Sequence, residues 1–278
     1  MITRLAGAIL RAVLVVLLIA TPALLLPGMS RDVTQIVALV SIFAAALTIF
    51  EYASVYPGLV EFRNAPPFNR LRFISLFATV FLTAMVVRGE QEPTAINQLV
   101  TSFGIGIGHA IDFPYSPVRQ IVLLLPQETA FDHIDRVRTA AGISYFVSML
   151  ALAIFYFFVR VKNWPMNSGP FNVWINMPTF DPTSGGDVVQ RLERDARFNI
   201  IVGFTLPFFI PAALKASESL FGQITLDNPQ SMIWIVAAWA FLPSSLLMRG
   251  LAMGRIAELV ERKRRASVRQ QNRAMQPA

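Results

Sequence analysis

The chain contains no cysteine, which removes disulfides, thiolate metal sites, thiol nucleophiles and iron–sulfur clusters together. Only two histidines are present, His109 and His133, so a histidine-built metal centre has little to draw on. Charge is scarce as well: 15% of the residues are Asp, Glu, Lys or Arg, against roughly 25% in an ordinary soluble domain. The sequence has no G-x-x-x-x-G-K-[ST], no H-E-x-x-H and no G-x-S-x-G, and with them go the usual signs of phosphate cradles, zinc hydrolases and serine nucleophile elbows. "GIGIG" at Gly104 to Gly108 is not the dinucleotide fingerprint, whose third glycine falls three positions after the second; glycines that thin a helix for close packing account for it better. No cofactor and no metal are expected.

What fills the chain instead is apolar: 54% of the 278 residues are hydrophobic. Several uncharged runs approach the roughly 20 residues that a helix needs to cross a bilayer. The expected fold class is all-α, a polytopic integral membrane helix bundle with six transmembrane helices. The spans fall at about 5–26, 33–50, 71–87, 139–159, 198–214 and 231–248. They make a transmembrane domain over 1–254, with an outer connection at 88–138, a loop at 160–197 and a basic tail at 255–278. The N-terminal run resembles a signal peptide, but no small-x-small site follows in "LLLPGMSRD", so it reads as a retained first span.

Orientation follows from arginine and lysine. With both termini in the cytoplasm, 18 of the 24 basic residues lie inside, while the 17 acidic residues divide eight inside and nine outside. That asymmetry, carried by the bases and not the acids, satisfies the positive-inside rule; a seventh span would expose the basic tail outside. Of the basic residues 21 are arginine, a bias that favours a bacterial inner membrane. Within the outer connection, 95–126 is read as a surface-lying helix in preference to a re-entrant one, because non-helical backbone at membrane depth needs protein or water to satisfy it.

Two segments share a Pro-Phe-Asn core: "PPFNRLRF" at Pro66 to Phe73 and "GPFNVWINMPTF" at Gly169 to Phe180. Both follow outside-to-inside spans that end in similar sequence, "ALTIFEY" and "ALAIFYF", an echo that an old duplication of a hairpin would leave. Their aromatic rings suit the headgroup region. The plain reading is an interfacial belt. The sharper one is a surface for docking another membrane subunit, built from Pro67, Phe68, Asn69, Trp164, Phe171, Asn172, Trp174 and Phe180.

Candidates for chemistry are few. "PQETAFDHIDRVRTAAG" brings Glu128, Asp132 and Asp135 or Arg136 to one helical face beside His133, a spacing that suits a metal or a proton relay but equally an acid-started helix held by ion pairs. His109 and Asp112 are a weaker pair of the same kind. Charges near the spans sit at their ends: Arg11 snorkels, Glu51 closes the second span, and Lys215 pairs with Glu218. Pro207 and Pro211 break the fifth span and mark a possible solute cavity. Gly250 and Gly254 give a small-x-x-x-small face. Arg262, Lys263, Arg264 and Arg265 form a basic cluster suited to anionic inner-leaflet lipid, hugging the membrane as an anchor; with no accompanying folded module, nucleic acid is not the expected partner.

The sequence thus points first to a non-enzymatic membrane protein that associates with, or helps assemble, another membrane complex. The alternatives are a transporter or channel for a small or apolar solute, and a membrane-embedded lipid-modifying enzyme using Glu51, Asp181, Asp187 or the His133 cluster.

Overall fold

The computed structural model describes residues 2–166, 171–181, 183, 185–222 and 226–274. Nine helices lie among them: α1 (Ile2–Leu25), α2 (Arg31–Ala53), α3 (Phe68–Gln91), α4 (Ala95–Ile111), α5 (Pro117–Val122), α6 (Phe131–Arg160), α7 (Val173–Asn176), α8 (Val188–Phe221) and α9 (Pro229–Ala274). No strand occurs among the described residues. Six helices, α1, α2, α3, α6, α8 and α9, are long and apolar enough to cross a membrane. They coincide with the six expected spans, and the protein is a polytopic α-helical bundle.

Local chemistry sets the helix starts. Ser30 accepts from the Val33 N–H ahead of α2, Thr94 from Asn97 ahead of α4, and Ser116 from Arg119 ahead of α5, whose first residue is Pro117. Each side chain satisfies an N–H that the first helical turn leaves orphaned. Asp187 does the same for α8, accepting from Val189 and Gln190. Between α1 and α2 the chain reverses in five residues, helped by Gly28 at φ 75°, a conformation that costs glycine little.

α9 is the central rod, packed by α8, α6 and α3. Two buried clusters flank the middle of the bundle. One, at the end opposite the termini, joins Val80, Ala84, Val118, Ile121, Val137, Ala140, Met232, Ile233, Val236 and Trp239. The other, at the end that carries both termini, joins Phe62, Phe68, Phe155, Trp164, Met177, Phe180, Leu192, Met248, Met253 and Ile256. We refer to these as the distal and proximal ends. α2 lies at the periphery, packed chiefly on α1, and exposes Ile36, Leu39, Ile42, Phe43 and Phe50, side chains that only lipid can cover without penalty.

α4 crosses the distal ends of α3 and α6. A Cβ added at Gly142 would stand 2.5 Å from Gly108 Cα, and one at Gly104 would meet Thr139 and Ile143 at 2.8 and 2.6 Å. The glycines of "GIGIG" therefore do what their spacing suggests and let two backbones touch. At its start α4 leans on α3, where Asn97 and Thr101 pack on Gly89. At its end Asp112 receives Arg138 Nε at 2.8 Å. α4 is thus held at its start by α3 and at its end by α6.

Prolines do not open the bundle. α8 runs unbroken through Pro207 and Pro211, both buried. Pro211 has no N–H to give the Pro207 carbonyl one turn back, and Trp239 Nε1 donates to that carbonyl instead, at 2.9 Å. Neither proline lines any of the three main cavities.

Candidate proximal-face site

The loop 54–67 between α2 and α3 and the segment between α6 and α8 meet at the proximal end and are sewn to each other. Phe62 N–H donates to the Asn176 carbonyl at 2.6 Å, and Asn64 N–H to Asn176 Oδ1 at 2.9 Å. Asn176 Nδ2 in turn donates to the Asn172 carbonyl at 2.9 Å, so one buried amide holds two loops 112 residues apart. Trp164 Nε1 donates to the Ala65 carbonyl at 3.1 Å. Around these bonds the rings interlock, with Phe62 against Phe68 at 4.6 Å, Phe68 against Phe155 at 5.3 Å and Phe155 against Trp164 at 5.2 Å. Such tilted and edge-on contacts add to the area each ring buries.

This arrangement corrects the reading of the two Pro-Phe-Asn segments as a docking surface. Phe68 is 1% exposed and Trp164 3%, with Phe180 also buried and Phe171 packed against the cluster. Asn69 donates to the Glu61 carbonyl at 2.7 Å, and half-buried Pro67 caps α3. Only Asn172 and Trp174, the latter 52% exposed, face outward. The rings sit inside because two loops that must close the bundle have one another to bury against, and burial of a large aromatic face outweighs an interfacial position. Pro170 lies outside the described residues.

Three arginines of α9 tie this junction down. Arg249 meets Glu61 through two bonds, Nε to Oε2 at 2.6 Å and Nη2 to Oε1 at 2.8 Å, and donates Nη1 to Asn199 Oδ1 at 3.0 Å. Thr179 Oγ1 donates to Glu61 Oε1 at 2.6 Å. Burial opposes ionisation of Glu61, but donation from Arg249 and Thr179 outweighs it and holds the carboxyl below its ordinary range. One turn and a half further on, Arg255 donates to the Trp164 carbonyl at 3.3 Å and to Glu258 at 2.8 Å. Arg264 reaches Asp187 at 2.7 Å, and that bond, with the α8 cap, lowers the Asp187 carboxyl. None of Glu61, Arg249, Asn199, Arg255 or Asn176 stood out in the sequence. Glu61 and Arg249 lie 188 residues apart, and no periodicity joins them.

The carboxylates considered for lipid chemistry have structural partners. Glu51, 4% exposed, accepts from the backbone N–H groups of Gly58, Leu59 and Val60 at 2.9 to 3.2 Å and so shapes the turn after α2. Asp181 accepts from Thr183, and Asp187 serves as the α8 cap. At the distal end Asp135 pairs with Arg138 at 2.7 Å and with His109 at 3.2 Å, Arg136 with Glu90, and His133 with Asp227 at 3.4 Å; Glu128 and Asp132 are exposed. These residues read as a helix start held by ion pairs. Lys215 and Glu218 pair at 3.0 Å, as their spacing suggests.

Gly250 and Gly254 face α8: a Cβ at Gly250 would lie 2.9 Å from the Ala196 carbonyl, the close approach that a small-x-x-x-small face allows. Beyond them α9 continues without a break. The basic cluster Arg262 to Arg265 is carried within this same helix. Past Ala257, the last residue of the proximal core, 17 helical residues remain, about 25 Å at 1.5 Å per residue. Arg264 and Arg265 are engaged by Asp187 and Glu261, whereas Arg262, Lys263 and Arg269 are exposed and form no ion pair among the described residues.

These features define a multi-pass α-helical membrane protein. No protein-family model, curated protein or solved structure matches the chain.

Proposed function

We propose that this is a non-enzymatic protein of a bacterial inner membrane, with both termini in the cytoplasm, that associates with another membrane protein complex through the cationic end of α9. The observation that carries the reading is the exposed, unbroken helix beyond Ala257, which bears Arg262, Lys263 and Arg269 without carboxylate partners. An ordered helix with unneutralised charge is pre-organised to meet an acidic surface, because little conformational entropy is left to lose on binding. The orientation is supported by the basic residues crowding the proximal end. The absence of chemistry is supported by the engagement of Glu51, Asp187 and Glu61 in caps, turns and ion pairs. A photo-crosslinking residue at Gln270 in native membranes tests the proposal. The expected result is one protein adduct that disappears when Arg262, Lys263 and Arg269 are changed to glutamine; adducts confined to lipid and to the chain itself would contradict it.

A further inference from the structure

A second cationic feature of the proximal end is independent of the α9 arm. Arg4 and Arg11 project from α1, Tyr52 from the last turn of α2 and Arg63 from the following loop, and with Asn64 they line a cavity of about 280 Å³. That volume sits at the small end of ligand pockets, room for a headgroup and not for a nucleotide. No acidic side chain lines it. Glu51 is turned into the backbone N–H groups of Gly58, Leu59 and Val60; it does not line the cavity, though its charge reaches Arg63.

Arg63 and Arg11 are placed by the fold. Arg63 spends Nη1 on the carbonyls of Glu51 and Ser54, both at 2.8 Å, and Nη2 on that of Val55 at 3.1 Å. It thereby caps the C-terminus of α2, where a cation is favourable, and keeps its Nε–H and one Nη2–H. Arg11 folds back on its own helix, Nη1 to the Gly7 carbonyl at 2.6 Å, with its guanidinium 4.6 Å from the Tyr52 ring centroid. Gly7 permits this, since a Cβ there would lie 2.9 Å from that same nitrogen. Arg4 makes no hydrogen bond or ion pair among the described residues. Burial first, and then the proximity of Arg4, push the Arg63 guanidinium below its ordinary value, with Tyr52 and Glu51 acting in the opposite direction.

Guanidinium groups that share one cavity suit a tetrahedral oxyanion, to which arginine presents paired N–H donors. On the same two helices Leu10, Leu14, Leu47 and Phe50 are exposed. Arg11 lies about two turns into α1, a helix long and apolar enough to cross a membrane, so the cavity sits toward the proximal end of that helix. We propose that the Arg4–Arg11–Arg63 cavity is a binding site for a phosphate group.

The phosphate can arrive on a lipid or free in solution, and the test separates the two. The purified, delipidated full chain is placed in nanodiscs of phosphatidylcholine with increasing phosphatidylglycerol, and bound lipid is read by native mass spectrometry; in parallel the chain in neutral detergent is titrated with inorganic phosphate. The variant R4Q/R11Q is compared with the wild type and with R31Q/K215Q at the distal end. Each arginine facing an anionic group is expected to contribute roughly fivefold in affinity, so R4Q/R11Q is expected to weaken binding roughly twenty-five-fold. R4Q alone, whose residue has no bond to lose in the fold, is expected to weaken it roughly fivefold. R31Q/K215Q is expected to leave it unchanged. Binding of phosphatidylglycerol with this pattern assigns a lipid site, and binding of inorganic phosphate with the same pattern assigns a site for a soluble phosphate. Failure of both probes to bind, or binding that R4Q/R11Q leaves intact, overturns the proposal.

Discussion

Consider replacing Glu61 with glutamine, Arg249 with methionine, and both together. The pair is joined by two charge-assisted bonds at 2.6 and 2.8 Å, and the two side chains are 14% and 29% exposed. Removing one partner of a fully buried pair costs about 3 to 5 kcal/mol, because the other charge is left without compensation; the partial exposure lowers that to about 2 to 3 kcal/mol for either single change. The double variant strands no charge, so its loss is expected to fall about 2 kcal/mol short of the sum of the singles. Unfolding in mixed micelles at increasing detergent denaturant measures all three. The pH dependence provides an internal check with a definite sign. Glu61 has a folded-state pKa below its ordinary 4.5, so its contribution is complete at neutral pH. It begins to be lost as pH falls through the ordinary value and is gone below the folded one. The stability gap between wild type and Glu61→Gln is therefore expected to close on acidification. Additive single losses, or a gap that widens in acid, would refute the idea that this ion pair locks the loop to α9.

Three further outcomes follow from the packing. Gly142→Val places carbon where Gly108 Cα already stands, with 2.5 Å between them; overpacking of this kind costs about 1 to 3 kcal/mol and is expected to loosen α4, read as faster proteolysis within 88–138. Trp239→Phe leaves the Pro207 carbonyl without its donor and is expected to cost about 1 to 3 kcal/mol. In a Pro211→Ala background, where the backbone N–H returns, the same change is expected to cost measurably less. Asn176→Ala removes the acceptor of the Asn64 N–H and the donor to Asn172, with an expected loss of about 2 kcal/mol in the same unfolding assay.

The six spans were legible because each is a long apolar run, and length with composition is what a bilayer selects. The α4 glycines were legible for a similar reason, since small residues at short intervals have few structural uses. The helix ends were less so: α3 begins at Phe68 and α6 at Phe131, where polar residues continue helices that the apolar count alone would stop. Phe68 and Trp164 show the deeper limit. An aromatic beside a span reads identically whether it borders headgroups or another loop, and only the meeting of 62–68 with 164–180 decides it. The lock between Glu61 and Arg249, and the cavity that gathers Arg4, Arg11 and Arg63, are likewise products of tertiary closure, invisible until distant loops come together.

The account rests on the proximal end facing the cell interior, and the chain's lack of cysteine makes that directly measurable. Ser102 on α4 and Ser267 on α9, both exposed, are changed one at a time to cysteine and treated in spheroplasts with a membrane-impermeant maleimide. The expected result is prompt labelling at Ser102→Cys and labelling at Ser267→Cys only after the membrane is permeabilised. Labelling of Ser267→Cys in intact spheroplasts would contradict the orientation and, with it, the placing of the cationic arm in the cytoplasm.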